Sequence, residues 1–100
     1  MKFLCVMVLM MFPLEVYAVD CAAGKVKRLQ PEAGGNILIF IENQNWHLLG
    51  NSKDPGVKEM FALALAAQAQ DKPVIIRFLG AFDCSAYETS TPAYMLRLDA

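Results

Sequence analysis

Asp54-Pro55-Gly56-Val57-Lys58-Glu59-Met60-Phe61-Ala62-Leu63-Ala64-Leu65-Ala66-Ala67-Gln68-Ala69-Gln70, then Asp71-Lys72-Pro73, then Val74-Ile75-Ile76-Arg77-Phe78-Leu79, is the stretch on which the fold turns. Ala, Leu, Met, Lys and Gln dominate its first part and predict a helix from Pro55 to Gln70. Asp54 is placed to cap free N–H groups and Pro55 suits the first helical position. Asp71-Lys72-Pro73 stops the helix, and the β-branched run after it predicts a strand over Val74–Leu79. Upstream, Gly24–Gln30 reads as a first strand and Pro31–Asn36 as a hairpin connection. Ile37–Ile41 does not alternate, which predicts a second strand with both faces away from water. Trp46–Leu49 makes a third, and beyond Cys84 and Pro92 the segment Tyr94–Asp99 makes a last one. The order is three strands, a helix and two strands. It predicts a mainly β fold with one helix, a five-stranded OB-fold barrel whose helix lies between strands 3 and 4. An open sheet covered by one helix is the competing arrangement.

The chain starts with Lys2, an apolar run from Phe3 to Leu14, and Val16-Tyr17-Ala18. A basic start, a short apolar stretch and small residues before a cut form the pattern of a secretory signal peptide over 1–18, cleaved between Ala18 and Val19. The apolar run is too short to span a bilayer, which takes about 20 residues. Cys21 follows Val19-Asp20, an unsuitable context for a lipid anchor. The expected mature chain, 19–100, is a single exported domain, secreted or periplasmic, with no membrane span. Its charge balance is close to neutral, with the whole chain at −1. That excludes nucleic-acid binding driven by phosphate neutralisation. Two cysteines remain after cleavage, Cys21 and Cys84, and an even pair in an oxidising compartment predicts a disulfide.

No catalytic pattern emerges. The single histidine, His47, has no acidic partner fixed by local spacing, and the serines lack a nucleophile elbow. The carboxylates are scattered, so neither a metal site nor a cofactor site is expected, and the enzyme class is set aside. What remains is a set of polar and aromatic loops. Tyr87, Glu88 and Thr89, with Asn51, Ser52 and Trp46, are the candidate ligand-binding residues, because aromatic faces stack on sugars while amide, hydroxyl and carboxylate groups bond their hydroxyls. On the helix, Ala62, Ala66 and Ala69 form a small-residue face. It reads either as a solvated face or as the interface of a homo-oligomer.

Trp46, the alanine-rich helix end Ala64–Gln70 and the junction Asp71-Lys72-Pro73-Val74-Ile75-Ile76-Arg77 together resemble the subtilase cytotoxin B-subunit-like family of small secreted bacterial proteins. More distantly, Cys21, the single helix and Cys84 match the plan of cholera-type toxin B subunits. The resemblance implies an OB-fold, a disulfide, a ring of five copies, glycan recognition and a toxin A-type partner subunit. Cholera-type subunits carry a sugar-stacking Trp shortly after the second Cys; here that stretch reads Cys84-Ser85-Ala86-Tyr87, and Tyr87 alone could substitute. The expected function is a non-enzymatic exported binding module recognising carbohydrate. The alternative is an exported structural or interaction protein without a small ligand.

Overall fold

A computed structural model describes residues 17–99. The expected leader lies outside them except for Tyr17 and Ala18. Within the described residues seven strands and one helix follow in the order β1 (Ala18–Asp20), β2 (Gly24–Pro31), β3 (Asn36–Ile41), β4 (Trp46–Asn51), α1 (Val57–Ala69), β5 (Pro73–Leu79), β6 (Glu88–Pro92) and β7 (Met95–Leu98). The strands pair along the path β1-β5-β2-β3-β4-β6, with β7 on β5. All pairs are antiparallel except β4 with β6.

This corrects the expected architecture. A closed five-stranded OB-fold barrel is not formed; the sheet is an open, strongly curled half-barrel of seven strands. The toxin-B identity that the resemblance implied rests on that closed barrel and falls with it. The expected last strand, Tyr94–Asp99, is present as β7, and the expected loop before it carries a further strand, β6, separated from β7 at Ala93–Tyr94. There the chain leaves β4, with Ala93 N–H bonded to Leu48 O at 3.0 Å, and joins β5, with Tyr94 N–H bonded to Arg77 O at 2.7 Å. Pro92, which has no N–H, ends β6. The additional strand β1 lies along β5, with Ala18 opposite Leu79 and Asp20 opposite Arg77. Two bonds of 2.6 and 3.2 Å between the Asp20 carboxylate and the Arg77 guanidinium fasten it.

The helix starts two residues later than expected. Gly56 adopts φ 84°, a left-handed conformation open to glycine, so Pro55 stands outside the helix. Asp54 makes no side-chain cap; its backbone carbonyl accepts the Val57 N–H at 3.4 Å. Gly50 (φ 148°) lets α1 seat on β4, because a Cβ there would stand 2.6 Å from Val57 Cγ2.

The core lies between the curled sheet and α1. Ile37, Ile39 and Ile41 alternate into it from β3, Leu49 from β4, and Val74, Ile76 and Phe78 from β5. The helix contributes Val57, Ala64 and Ala67, with Met60, Phe61 and Leu63 half-buried. Burying side chains of this kind stabilises by about 1.5–3 kcal/mol each. Cys21 and Cys84 are bonded, with Cα atoms 5.7 Å apart, and close the domain across a separation of 63 residues. Among the described residues no helix is long and apolar enough to cross a membrane.

Candidate functional site

The residues between the inward-facing members of β2, β3 and β4 build the opposite face of the sheet. A bulge in β2 between Val26 and Arg28 inserts one extra residue, Lys27, and re-aims the strand so that Arg28 pairs with Phe40. Phe40 in turn pairs with Trp46 on β4. Three side chains thus stand side by side across three strands. The Phe40 and Trp46 rings meet edge to face, centroids 5.5 Å apart and planes at 72°. The Arg28 guanidinium lies over Phe40, 5.7 Å from its centroid. Such contacts hold aromatic planes in defined orientations and contribute about 0.5–1.5 kcal/mol each. Arg28 has no acidic partner among the described residues, whereas its neighbour Lys27 lies 3.9 Å from Glu42.

A second row runs parallel to the first: Gln30 opposite Leu38, Leu38 opposite Leu48, Leu48 opposite Pro92. Leu38 and Leu48 are buried yet do not belong to the core cluster. They floor the outer face, which has an apolar centre and Arg28 and Gln30 as its polar margin. Trp46 is half-buried here rather than packed in the core.

The loop residues singled out from the sequence are brought together only in part. His47 pairs with Glu88 at the start of β4, so Trp46 and the segment Tyr87–Thr89 share one end of that strand. Asn51 and Ser52 lie at the other end, about 13 Å along the strand. There the Asn51 amide nitrogen donates to Gly34 O at 3.1 Å and Asn36 Oδ1 at 2.9 Å, while its oxygen accepts the Lys53 N–H at 3.0 Å. Ser52 N–H bonds Gly35 O. These two residues stitch the turns at 34–36 and 51–53 to each other.

Glu88 is equally engaged. Between the pairs His47–Glu88 and Leu48–Pro92 the partner strand β4 advances one residue and β6 advances four. The surplus residues loop out, and the Glu88 carboxylate holds the loop. It accepts the N–H groups of Ser90 and Thr91 at 3.1 and 3.0 Å and their hydroxyls at 3.0 and 2.7 Å. Those bonds, from Thr91 first, hold its carboxyl below the usual carboxylate range. Tyr87, just before it, is 65 % exposed.

His47 is inward-facing and wholly buried. Its Nε2 lies 2.8 Å from Gln44 Oε1. Because Gln44 Nε2 donates to Ala22 O at 2.7 Å, Oε1 is the accepting end of the amide and the histidine proton sits on Nε2. Nδ1 is therefore a bare acceptor, and it has no hydrogen-bond partner among the described residues. Phe78 and Phe82 pack edge-on against the ring, 5.3 and 5.4 Å between centroids. Burial pushes its pKa down, opposed by the field of Glu88.

A groove of about 490 Å3 lies elsewhere, between the start of α1 and the β6–β7 break; Val57, Met60, Tyr94 and Met95 line its apolar part. The helix face Ala62, Ala66 and Ala69 is exposed, beside Leu65, which is 45 % exposed. Ala18 and Val19, flanking the expected cleavage, pair with Leu79 and Phe78 in β1. Among the described residues no three His, Cys, Asp or Glu side chains gather as a metal site would require.

Arg28 and Phe40 escaped the reading of the sequence. Phe40 sits in an unbroken apolar run, and the β2 bulge breaks the alternation that would have aligned Arg28 with it. The chain matches no family model, no curated protein and no solved structure.

Proposed function

We propose that this chain is an exported, non-enzymatic binding module that recognises carbohydrate on the outer face of β2–β4. The observation that carries the reading is the row Arg28–Phe40–Trp46, an indole held by a neighbouring ring over which lies a cation with no acidic partner among the described residues. A pyranose presents an apolar face to such a ring, and Arg28 and Gln30 supply donors at the margin for its hydroxyls. The signal-like start and the Cys21–Cys84 bond support export. The test is a glycan array on the oxidised mature protein beside its Trp46→Ala variant. Retention of a defined glycan class by the wild type and its loss in the variant is the expected result. An empty array, or equal retention by both proteins, removes the reading.

A second reading, an interaction domain that joins copies of itself, is favoured by Leu65 exposed among Ala62, Ala66 and Ala69. Sedimentation of the mature protein at tens of micromolar decides it. An assembly that Ala66→Glu dissociates supports this reading, and a monomer excludes it.

A further inference from the structure

His47 is the one histidine in the chain and is sealed in the interior. Four elements close around it. The turn after β3 presents the Gln44 amide, β5 presents Phe78, the loop before Cys84 presents Phe82, and β6 presents Glu88 opposite it in register. The opposing residue on β3 is Ile39. Of the charged groups on these elements, Glu42 lies 3.9 Å from Lys27, Arg77 bonds Asp20, and Asp83 bonds Ser85. Glu88 is the group whose field reaches the ring.

A proton arriving at Nδ1 has no acceptor waiting. Gln44 already takes the Nε2–H, and the Phe78 and Phe82 rings packed edge-on against the imidazole offer no acceptor. A buried imidazolium needs water or a carboxylate. Phe82 is stacked on Phe78 with centroids 3.7 Å apart, and lifting it off opens a path for water to the ring. The Glu88 carboxylate turns inward only by releasing Ser90 and Thr91, whose four bonds hold the β6 loop. Either route loosens the same stretch, 82–91, which carries Tyr87 and borders the Trp46 end of β4. Cys84 tethers that stretch to Cys21, so it can loosen without the rest of the sheet coming apart.

We infer that His47 is the trigger of an acid-opened latch: protonation of its Nδ1 frees the segment 82–91 while the disulfide and the sheet β2–β5 stay in place. The bearing of this latch on ligand recognition rests on the reading proposed above, through the nearness of Trp46; the latch itself does not. Its test therefore uses no ligand.

The oxidised mature protein is titrated from pH 7.5 to 4.5. The imidazole is followed by nitrogen–proton correlation spectra, and backbone amides by hydrogen exchange. The expected result is a ring that stays neutral below the ordinary histidine value and protonates only on further acidification. At that same pH exchange in 82–91 should rise at least tenfold, reversibly, while β3 and β5 keep their protection. In His47→Gln the opening should be absent over that range. If this variant does not fold, the ring and amide titrations of the wild type decide alone. Protonation without a rise in exchange at 82–91 overturns the latch. So does opening at the same pH in His47→Gln, or loss of protection in every strand together.

Discussion

Phe82 lies flat on Phe78, ring centroids 3.7 Å apart and planes within 10° of parallel. Phe78 is the penultimate residue of β5 and is fully buried, whereas Phe82 comes from the loop two residues before Cys84. The stack and the disulfide thus act on one loop, and both stacked rings pack against His47. Replacing Phe82 with Ala removes the stack and opens a path for water to the imidazole. We expect a loss of about 2 kcal/mol in chemical denaturation. The pKa of His47, read by NMR, should also rise toward its ordinary value. An unchanged imidazole titration would show that Phe82 does not seal the ring.

Reduction of Cys21–Cys84 releases a loop spanning 63 positions. Chain-entropy arguments assign such a cross-link about 4 kcal/mol, less whatever structure the reduced unfolded chain retains. Urea denaturation with and without reductant should shift the midpoint by the corresponding amount, with the larger share of the effect in the unfolded state. A midpoint insensitive to reductant would mean that the curled sheet holds itself closed.

Stability should fall on mild acidification. His47 in the folded chain is held below its ordinary value of about 6.5, chiefly by burial. Above pH 6.5 neither state binds the proton and nothing is lost. Below it the unfolded chain takes a proton that the folded chain refuses, so stability drops by up to about 1.4 kcal/mol per pH unit until the folded ring titrates. The carboxylates of Asp20, Asp83 and Glu88 are shifted down by their hydrogen bonds, and their contribution is lost only in a separate, more acidic window that opens as pH falls below about 4.5 for Glu88 and about 3.8 for the aspartates. Thermal melts at pH 7.5, 6.5 and 5.5 separate the two. A Tm constant from 7.5 to 5.5 would contradict the burial of His47.

Gly50→Ala should be costly out of proportion to one methyl group. The position has φ 148°, and the added Cβ would stand 2.6 Å from Val57 Cγ2 at the start of α1. Either the helix moves off β4 or the strand bends, and about 2 kcal/mol or more is expected in denaturation. Gly34→Ala, where a Cβ meets nothing within 4 Å, is the control.

The sequence made part of this legible. The helix and the strands at 24–31, 36–41, 46–51 and 73–79 each have a local signal: β-branched runs, Gly and Pro punctuation, an alanine-rich block. The strands β1 and β6 do not. Ala-Val-Asp is too short to show a period, and Glu-Thr-Ser-Thr-Pro is polar because its donors bond Glu88 within a loop rather than a core. Both are created by partners distant in the chain. Barrel closure depended on that missing information, since β6, expected as loop, pairs with β4 while β7 pairs with β5. The helix starts at Val57 rather than Pro55 because Gly56 adopts the left-handed turn, a conformation that the Asp54-Pro55 signal does not encode. At the candidate site Trp46 stood out as the single tryptophan, but its companions did not. Arg28 and Phe40 meet it only through cross-strand register and a bulge, and neither leaves a trace in local spacing.

The central claim is that recognition belongs to the outer face of β2–β4. Amide and side-chain chemical-shift mapping of the oxidised mature protein, titrated with the glycan best retained on the array, tests it most directly. The account predicts shifts concentrated at Arg28, Gln30, Phe40 and Trp46. Their loss in Trp46→Ala should correspond to about 1–3 kcal/mol, by analogy with aromatic stacking on nucleobases. Shifts centred instead on the groove at Val57, Met60, Tyr94 and Met95, or on the Asn51–Ser52 turn, would contradict it.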